Sequence, residues 1–251
     1  MAFLSLTFGD VVSEISEFLG RTDEPTGRDR DKIRDVVNRG YRKFLYPTDP
    51  RTGRRHTWSF LQDHGTLALA SGQWKYAMPS DFDELLSRFR FDDSDDYGPP
   101  SLVTAEQILQ KRNNFTSESW PRYVALFPSK YDKAIGQQWE AWFYDTPNAA
   151  YTLHFIYQIR PPKLDTDTDV FVGGDFASEA ILENALAVAE LKYHHVLGVH
   201  NAHATELTQR LIMGDRTADP DTYGLLYDPS VMRMPYSRPL PPTDSDNIYT
   251  S

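Results

Sequence analysis

Residues 33–47 read IRDVVNRGYRKFLYP, and this run does most to determine how the chain folds. Its apolar residues recur at helical spacing and form one stripe: Ile33, Val36, Val37, Gly40, Tyr41, Phe44 and Leu45. Pro47 stops the helix, because proline lacks an amide hydrogen and its ring clashes with the preceding turn. The sequence therefore predicts an amphipathic helix over residues 28–46.

The opposite face of this predicted helix is basic. Residues 28–55 contain ten Lys or Arg against four Asp or Glu, whereas the whole chain has a net charge of -10. This asymmetry predicts charge-matched contacts between copies of the chain or with a partner. The residues predicted to make these contacts include Arg30, Arg34, Arg39 and Arg42. The interleaved Asp29, Asp31 and Asp35 favour ion pairs on the helix or between subunits over nucleic-acid binding.

Four further helices are predicted from the same periodicity. They cover residues 7–20, 104–112, 175–197 and 201–213, and Thr104 and Gln107 have the spacing of a capping box. The many alanines of residues 175–197 permit another helix to approach closely.

Between residues 56 and 162, short apolar or alternating runs are separated by Gly, Pro, Asn and Asp, which is typical of strands and turns. The candidate strands are residues 57–61, 66–69, 74–77, 87–91, 122–127, 138–144 and 151–159. The last two flank residues 145–150, whose Thr-Pro-Asn centre predicts a hairpin loop.

These elements predict an α+β fold. Residues 1–50 and 174–214 are expected to form an antiparallel helical bundle from the N- and C-terminal helix pairs. Residues 51–173 form an inserted β-rich, sandwich-like domain. Residues 215–251 contain six prolines and little periodicity, so they predict an extended C-terminal arm that becomes ordered on a neighbour.

Composition excludes several classes of function. The chain has no cysteine, which removes disulfides, thiolate nucleophiles and sulfur-liganded zinc sites. The net charge of -10 disfavours a protein that binds nucleic acid by neutralising phosphates. No apolar run approaches the roughly 20 residues that span a bilayer, and the first residues lack a secretory leader, so we expect a soluble chain made inside the cell, without membrane contact. Without a phosphate loop, nucleophile elbow or paired metal motif, we predict neither an enzyme nor a cofactor.

Two groups of polar residues are candidate metal sites. The histidine cluster consists of His194, His195, His200 and His203, which we interpret as helix-end residues rather than ligands. The acidic groups are residues 92–96 and the alternating Asp165, Asp167 and Asp169. The alternating group resembles part of a calcium loop but lacks the Gly and the terminal Glu of an EF-hand, so solvated turns are favoured.

Five word patterns occur in a fixed order along the chain. They are YRKFLYP (41–47), WSFL (58–61), YAMPSDFDEL (76–85), WFYDTP (142–147) followed by YTLHFIY (151–157), and Pro161-Pro162. With the order helix pair, β insertion, helix pair and extended tail, they resemble the head-to-tail adaptor (connector) proteins of tailed bacteriophages over about residues 7–214.

This resemblance implies a virion protein at the head–tail junction, made in the host cytoplasm, that assembles into a dodecameric ring and has no catalytic residues. The implied partners are further copies of the chain, the portal protein, and tail nozzle, tube or fibre proteins, with genomic DNA passing through the lumen without specific binding. We also expect arm residues to contact a neighbouring subunit or the portal, namely Tyr223, Tyr227, Met232, Met234 and Tyr236.

Two alternatives stay open from the sequence. A tail completion or stopper protein is also a ring without chemistry. A carbohydrate-binding or cell-wall-degrading module is suggested by tryptophans, whose faces stack on sugars, although buried core tryptophans explain them equally well. The tryptophans are Trp58, Trp74, Trp120, Trp139 and Trp142.

Overall fold

The computed structural model describes residues 5–21, 27–92, 97–133 and 136–218. The chain combines helices with two β-sheets, so the prediction of an α+β fold class is confirmed. The helices are α1 (Phe8–Phe18), α2 (Gly27–Leu45), α3 (Ala105–Asn114), α4 (Asp175–Ala189) and α5 (Val199–Ala218). The strands are β1 (Gln62–Leu69), β2 (Lys75–Ala77), β3 (Phe82–Leu85), β4 (Arg90–Phe91), β5 (Ser101–Leu102), β6 (Tyr123–Asp132), β7 (Gly136–Tyr144) and β8 (Tyr151–Ile159).

The helices at the two ends of the chain meet in one hydrophobic core. α4 lies against α2, α5 and α1, and nine of its fifteen residues are buried, five of them alanines. These small side chains let the neighbouring helices approach closely. Larger side chains from the other helices fill the remaining space, among them Phe8 and Ile15 of α1, Phe44 of α2 and Ile212 of α5.

The closest approach between two of these helices joins Gly40 of α2 to Ala185 of α4. A Cβ atom added at Gly40 lies 2.5 Å from the backbone nitrogen and 2.8 Å from the Cβ of Ala185, and closer still to its Cα. Backbone atoms cannot rotate aside as the end of a flexible side chain can. The α2–α4 packing therefore requires glycine at position 40.

The two sheets share a second core. In the first sheet, β8 is flanked by β1 on one side and by β3 and then β4 on the other. The second sheet has the order β2-β7-β6-β5 and is antiparallel except for the β5–β6 pair. Phe89, Phe143 and Phe155 belong to this shared core. α3 covers the other face of the second sheet, where Ile108 is fully buried beside Trp142.

The predicted hairpin of the last two strands is wrong. β7 pairs with β2 and β6, whereas β8 pairs with β1, β3 and β4, so residues 145–150 cross from one sheet to the other. Phe143 and Leu153 are both fully buried in the shared core, although their strands belong to different sheets. Turn residues in the sequence specify only that the chain changes direction, whereas burial decides which strands pair.

The strand predicted over residues 57–61 is also wrong. Ser59–Leu61 forms a single 3-10 turn. The fully buried Trp58 ring stacks against Phe44, at 4.9 Å between ring centroids, and against Phe60, at 5.3 Å. Its Nε1 donates a hydrogen bond of 3.0 Å to the carbonyl oxygen of Phe44. These aromatic residues therefore extend the helical core rather than a sheet.

The last two helices differ from the prediction at their ends. α4 ends at Ala189 and is followed by one π-helical turn, Glu190–His194. α5 continues to Ala218, so residues 215–218, which were predicted as part of the extended arm, are helical. The rest of the predicted arm, residues 219–251, lies outside the described residues. Among the helices of the described part, none combines the length and the apolar character needed to cross a membrane.

Gly40→Ala is expected to lower the free energy of unfolding by roughly 1–3 kcal/mol, because the added methyl group overpacks the α2–α4 contact. Gly214→Ala in α5 is the matched control, since a Cβ there meets no atom within 4 Å. It should raise stability by about 0.5–1 kcal/mol through reduced backbone entropy in the unfolded chain. Urea denaturation followed by circular dichroism measures both; equal changes contradict the close-packing argument.

Candidate interaction site

A groove lies where the second half of α2 meets the linker that follows β8. It consists of two adjoining recesses of about 540 Å³ and 610 Å³ that share Arg39, Arg42 and Tyr46. The other charged residues that line it are Asp35, Lys43, Arg55, Asp83, Arg160 and Lys163. We call this surface the cationic groove, because six cations and only two carboxylates line it.

Local sequence explains how α2 builds one wall of the cationic groove. Arg39, Arg42 and Tyr46 are spaced three and four residues apart, so they follow one face of the helix. After Pro47 the chain turns back, with Thr48 bridged to Arg55. This turn places the guanidinium carbon of Arg55 4.1 Å from the centre of the Tyr46 ring. The sequence pattern could not place Arg55 in the groove, because its position depends on this turn.

Both carboxylates of the cationic groove already have partners within the chain. Oδ1 of Asp35 accepts a hydrogen bond of 3.1 Å from Nζ of Lys163. Oδ2 of Asp83 accepts one of 3.3 Å from Nη2 of Arg55. The first pair joins α2 to the linker after β8, and the second joins the turn after α2 to β3. Together they leave little negative charge for the other cations.

Arg39 and Arg42 are exposed, and neither forms a hydrogen bond or ion pair with another residue in the described part of the chain. By contrast, Nη2 of Arg160 donates to the carbonyl oxygens of Ser80 and Gln137, both at 3.2 Å. Arg39 and Arg42 are therefore the two arginines of the groove whose donor groups are available to an external anion.

The phenol of Tyr46, which lines both recesses of the cationic groove, is neutral. Burial raises the pKa of Tyr46, and the nearby Asp83 carboxylate adds to this effect, while Arg55, Arg160 and Arg42 oppose it. Burial also lowers the pKa of the Lys43 ammonium group at the edge of the groove. At neutral pH the Tyr46 hydroxyl therefore stays protonated and is able to donate a hydrogen bond.

The other two predicted arginines point elsewhere. Nη2 of Arg34 lies 2.9 Å from Oδ1 of Asp167, and Nη2 of Arg30 bonds the second oxygen of the same carboxylate. The hydrogen bond from Arg34 lowers the pKa of Asp167, and Arg30 lowers it further, although desolvation opposes both. These two arginines attach the loop before α4 to α2, so their predicted contact with another subunit stays a prediction.

The spaced aspartates Asp165, Asp167 and Asp169 lie in the same loop, and hydrogen bonds within the chain explain their spacing. Oδ2 of Asp169 accepts hydrogen bonds from the backbone nitrogens of Asp165, at 2.8 Å, and Thr166, at 2.9 Å. Hydrogen bonds from Thr166 and Asp165 lower the pKa of Asp169. Asp169 thus stabilises its own turn, while Asp167 faces the arginines. Over the described ranges, no three His, Cys, Asp or Glu side chains are grouped so that they could hold a metal ion.

Two histidines of the predicted cluster pack on the end of α1. His194 stacks on Phe18 at 5.5 Å between ring centroids, and His200 meets the same ring edge-on at 5.2 Å. Nδ1 of His200 also lies 2.9 Å from Oε2 of Glu183. These contacts agree with a structural role for this part of the cluster.

The tryptophans pack against other aromatic rings of the chain. Trp58 and Trp142 are buried, and Trp120 stacks on Tyr97 at 5.2 Å between centroids. Trp74 meets Trp142 at 5.6 Å, and Trp139 meets Phe82 at 6.2 Å. Packing within the chain therefore explains the positions of these tryptophan rings, for which the sequence left sugar stacking as an alternative.

A buried polar cluster, absent from the predictions, fixes the end of α5. Oδ2 of Asp215 lies 2.8 Å from Nε2 of His56 and accepts a hydrogen bond of 3.1 Å from the backbone nitrogen of Ser59. The Ser59 hydroxyl also donates to Asp215, so it bonds the carboxylate rather than the imidazole and does not form the nucleophile–base pair of acyl transfer. We call this cluster the Asp215 clasp.

Electrostatics favour the ionised form of the Asp215 carboxyl in the clasp. Burial raises the pKa of Asp215, but hydrogen bonds from His56 and Ser59 outweigh it and leave the pKa below its ordinary value. Because His56 directly follows Arg55, the clasp holds the end of α5 beside the cationic groove. The predicted arm contacts Tyr223, Tyr227, Met232, Met234 and Tyr236 lie outside the described residues.

Asp215→Asn is expected to lower the free energy of unfolding at pH 7 by about 1–3 kcal/mol, because charge-assisted hydrogen bonds are lost. A carboxyl whose pKa is lower in the folded chain stabilises above its unfolded pKa of about 3.9, and this contribution is lost as the pH falls through the folded value. The difference between the two proteins should therefore shrink between pH 5 and pH 3.

Urea titrations at several pH values measure this difference. Glu14→Gln on the exposed face of α1 is the control, with little expected change because surface substitutions usually have small effects. A deficit of Asp215→Asn that stays constant down to pH 3 contradicts the role of the carboxylate in the clasp.

Comparison with known proteins supplies independent information. Residues 6–232 match a family model described as SU10 adaptor protein. This match includes all the helices and strands of the two cores. No curated protein shows a significant match to the chain.

Proposed function

Because the chain belongs to the SU10 adaptor protein family, a family of phage head-to-tail adaptors, we propose that it forms a ring between the portal and the tail. The family assignment confirms the predicted resemblance, and a phage adaptor is a component of the virion. We propose a dodecamer without catalytic activity, located at the head–tail junction, whose lumen passes the genome without binding it specifically.

The observation that carries this proposal is the cationic groove. Arg39 and Arg42 are exposed and without a carboxylate partner among the described residues, in a chain whose net charge is -10. Complementary charges at an interface speed association and fix its register. We propose that these two arginines meet carboxylates of a neighbouring copy or of the portal. Arg30 and Arg34 remain proposed contacts, and their bonds to Asp167 favour a supporting position behind the interface.

A closed ring built by rotation needs two different complementary faces on each subunit. A second candidate face is the turn between α4 and α5, where four apolar side chains are between 52 % and 67 % exposed. We call it the apolar turn, and it consists of Leu191, Val196, Leu197 and Val199. Burial of this surface against another copy is favourable, because it removes apolar area from water.

The two hydrophobic cores support a division of labour within the subunit. One contains α1, α2, α4 and α5, and the other contains both sheets. We propose that the helices act as an antiparallel bundle formed by residues 1–50 and 174–214 and dock on the portal. In this proposal, residues 51–173 form an inserted, sandwich-like unit that offers a platform for nozzle, tube or fibre proteins of the tail.

The ring is tested by mixing the chain with the portal protein of the same virus and weighing single particles by mass photometry. The expected result is a discrete multimer on the portal. The double variant Arg39→Glu/Arg42→Glu should weaken its formation tenfold or more, since like charges then face each other across the interface.

The matched control is Arg88→Glu/Arg90→Glu, which makes the same change of charge at exposed positions outside the cationic groove. It should assemble like the unchanged chain. Absence of any discrete multimer contradicts the ring, and equal behaviour of the two double variants contradicts the role of the groove.

A further inference from the structure

We propose that, in the unassembled subunit, the acidic segment 219–228 binds in the cationic groove of its own chain. The inference concerns a single molecule and does not rest on the ring. It assigns an occupant to the two arginines that have no partner among the described residues.

The chemistry of the segment matches that of the cationic groove. Residues 219–228 read DPDTYGLLYD, with three carboxylates, two tyrosines and neither Lys nor Arg. Carboxylates bind the fork of a guanidinium group, and tyrosine rings stack on its face. The first cation of the remaining chain is Arg233, so the purely acidic part ends before it. A segment with this composition supplies both kinds of contact that Arg39 and Arg42 lack.

The position where the described chain ends favours the same molecule as the binding partner. In the Asp215 clasp, the Asp215 carboxylate bonds His56 and Ser59, and Arg55, which directly precedes His56, lines the groove. α5 ends at Ala218, and the three residues from there to Asp221 span up to about 10 Å when extended. Such a short tether gives an effective concentration in the millimolar range, which exceeds that of a second copy in dilute solution.

Electrostatic attraction at this site should be strong but sensitive to salt. Three carboxylates face a groove that has four more cations than carboxylates among its lining residues. Exposed charges are screened over about 10 Å at 0.1 M salt and about 3 Å at 1 M. The docked fraction should therefore fall as salt is added.

The absence of cysteine allows a direct measurement on the full chain. Cysteines introduced by Pro162→Cys, at the edge of the groove, and Thr222→Cys, in the segment, are the only labelling sites. With spin labels at both, electron–electron double resonance should show a short-distance population. Arg39→Glu/Arg42→Glu should remove most of it, whereas the control Arg88→Glu/Arg90→Glu should leave it unchanged.

A rescue variant separates loss of binding from loss of structure. Reversing the segment with Asp219→Arg, Asp221→Arg and Asp228→Arg should restore the short distance in the Arg39→Glu/Arg42→Glu background. A broad distance distribution in the chain with the unchanged groove overturns the proposal. So does a short-distance population that Arg39→Glu/Arg42→Glu does not alter.

Docking within one chain is distinguished from docking on a neighbour by dilution. A trace of doubly labelled chain is mixed with an excess of unlabelled chain, at a concentration where mass photometry shows monomers. The short distance should persist, and its disappearance would overturn the same-chain assignment. Because this measurement needs no portal, its result is independent of whether the ring forms.

Discussion

α2 and α4 form one core only because position 40 has no side chain. Gly40 brings its backbone against that of Ala185, and this contact joins the helices before the β insertion to those after it. Without such an approach, the alanines of α4 would face a gap rather than a neighbouring helix. The cationic groove follows from the same packing, since it places the second half of α2 beside the linker that leaves β8.

The two halves of the subunit meet through aromatic rings and charges. Trp58 packs in the helical core shortly before β1 begins. Asp35 of α2 pairs with Lys163 of the linker after β8, and Asp83 of β3 pairs with Arg55 of the turn after α2. Such pairs stabilise the chain modestly where they are exposed. Their larger effect is on charge, because they occupy both carboxylates of the groove and leave Arg39 and Arg42 without a carboxylate partner among the described residues.

Local sequence patterns predicted the helices and strands well where the pattern itself causes the element to form. The helix expected over residues 28–46 is Gly27–Leu45, the strand over 151–159 is Tyr151–Ile159, and the Thr104 capping box is present. Strand pairing failed, because partners are set by burial between distant segments. The short β3 was missed, since its Phe-Asp-Glu-Leu sequence has no β-branched residue.

The interaction site was predictable only in part. Sequence spacing places Arg30, Arg34, Arg39 and Arg42 on the polar side of one helix and cannot rank them. The distinction arises from Asp167, which lies far along the chain and occupies the first two. Asp215 was missed for the same reason, because its partners His56 and Ser59 lie 159 and 156 residues away in the sequence.

The Asp215 clasp has a mechanical consequence. It attaches the C-terminal end of α5 to the segment that enters the β insertion, rather than to α4 alone. Tension applied to the end of the chain by a bound neighbour therefore reaches the boundary between the two cores first. A force at that boundary acts on the sheets and the helices together, so a single tethered segment can transmit force to the whole subunit.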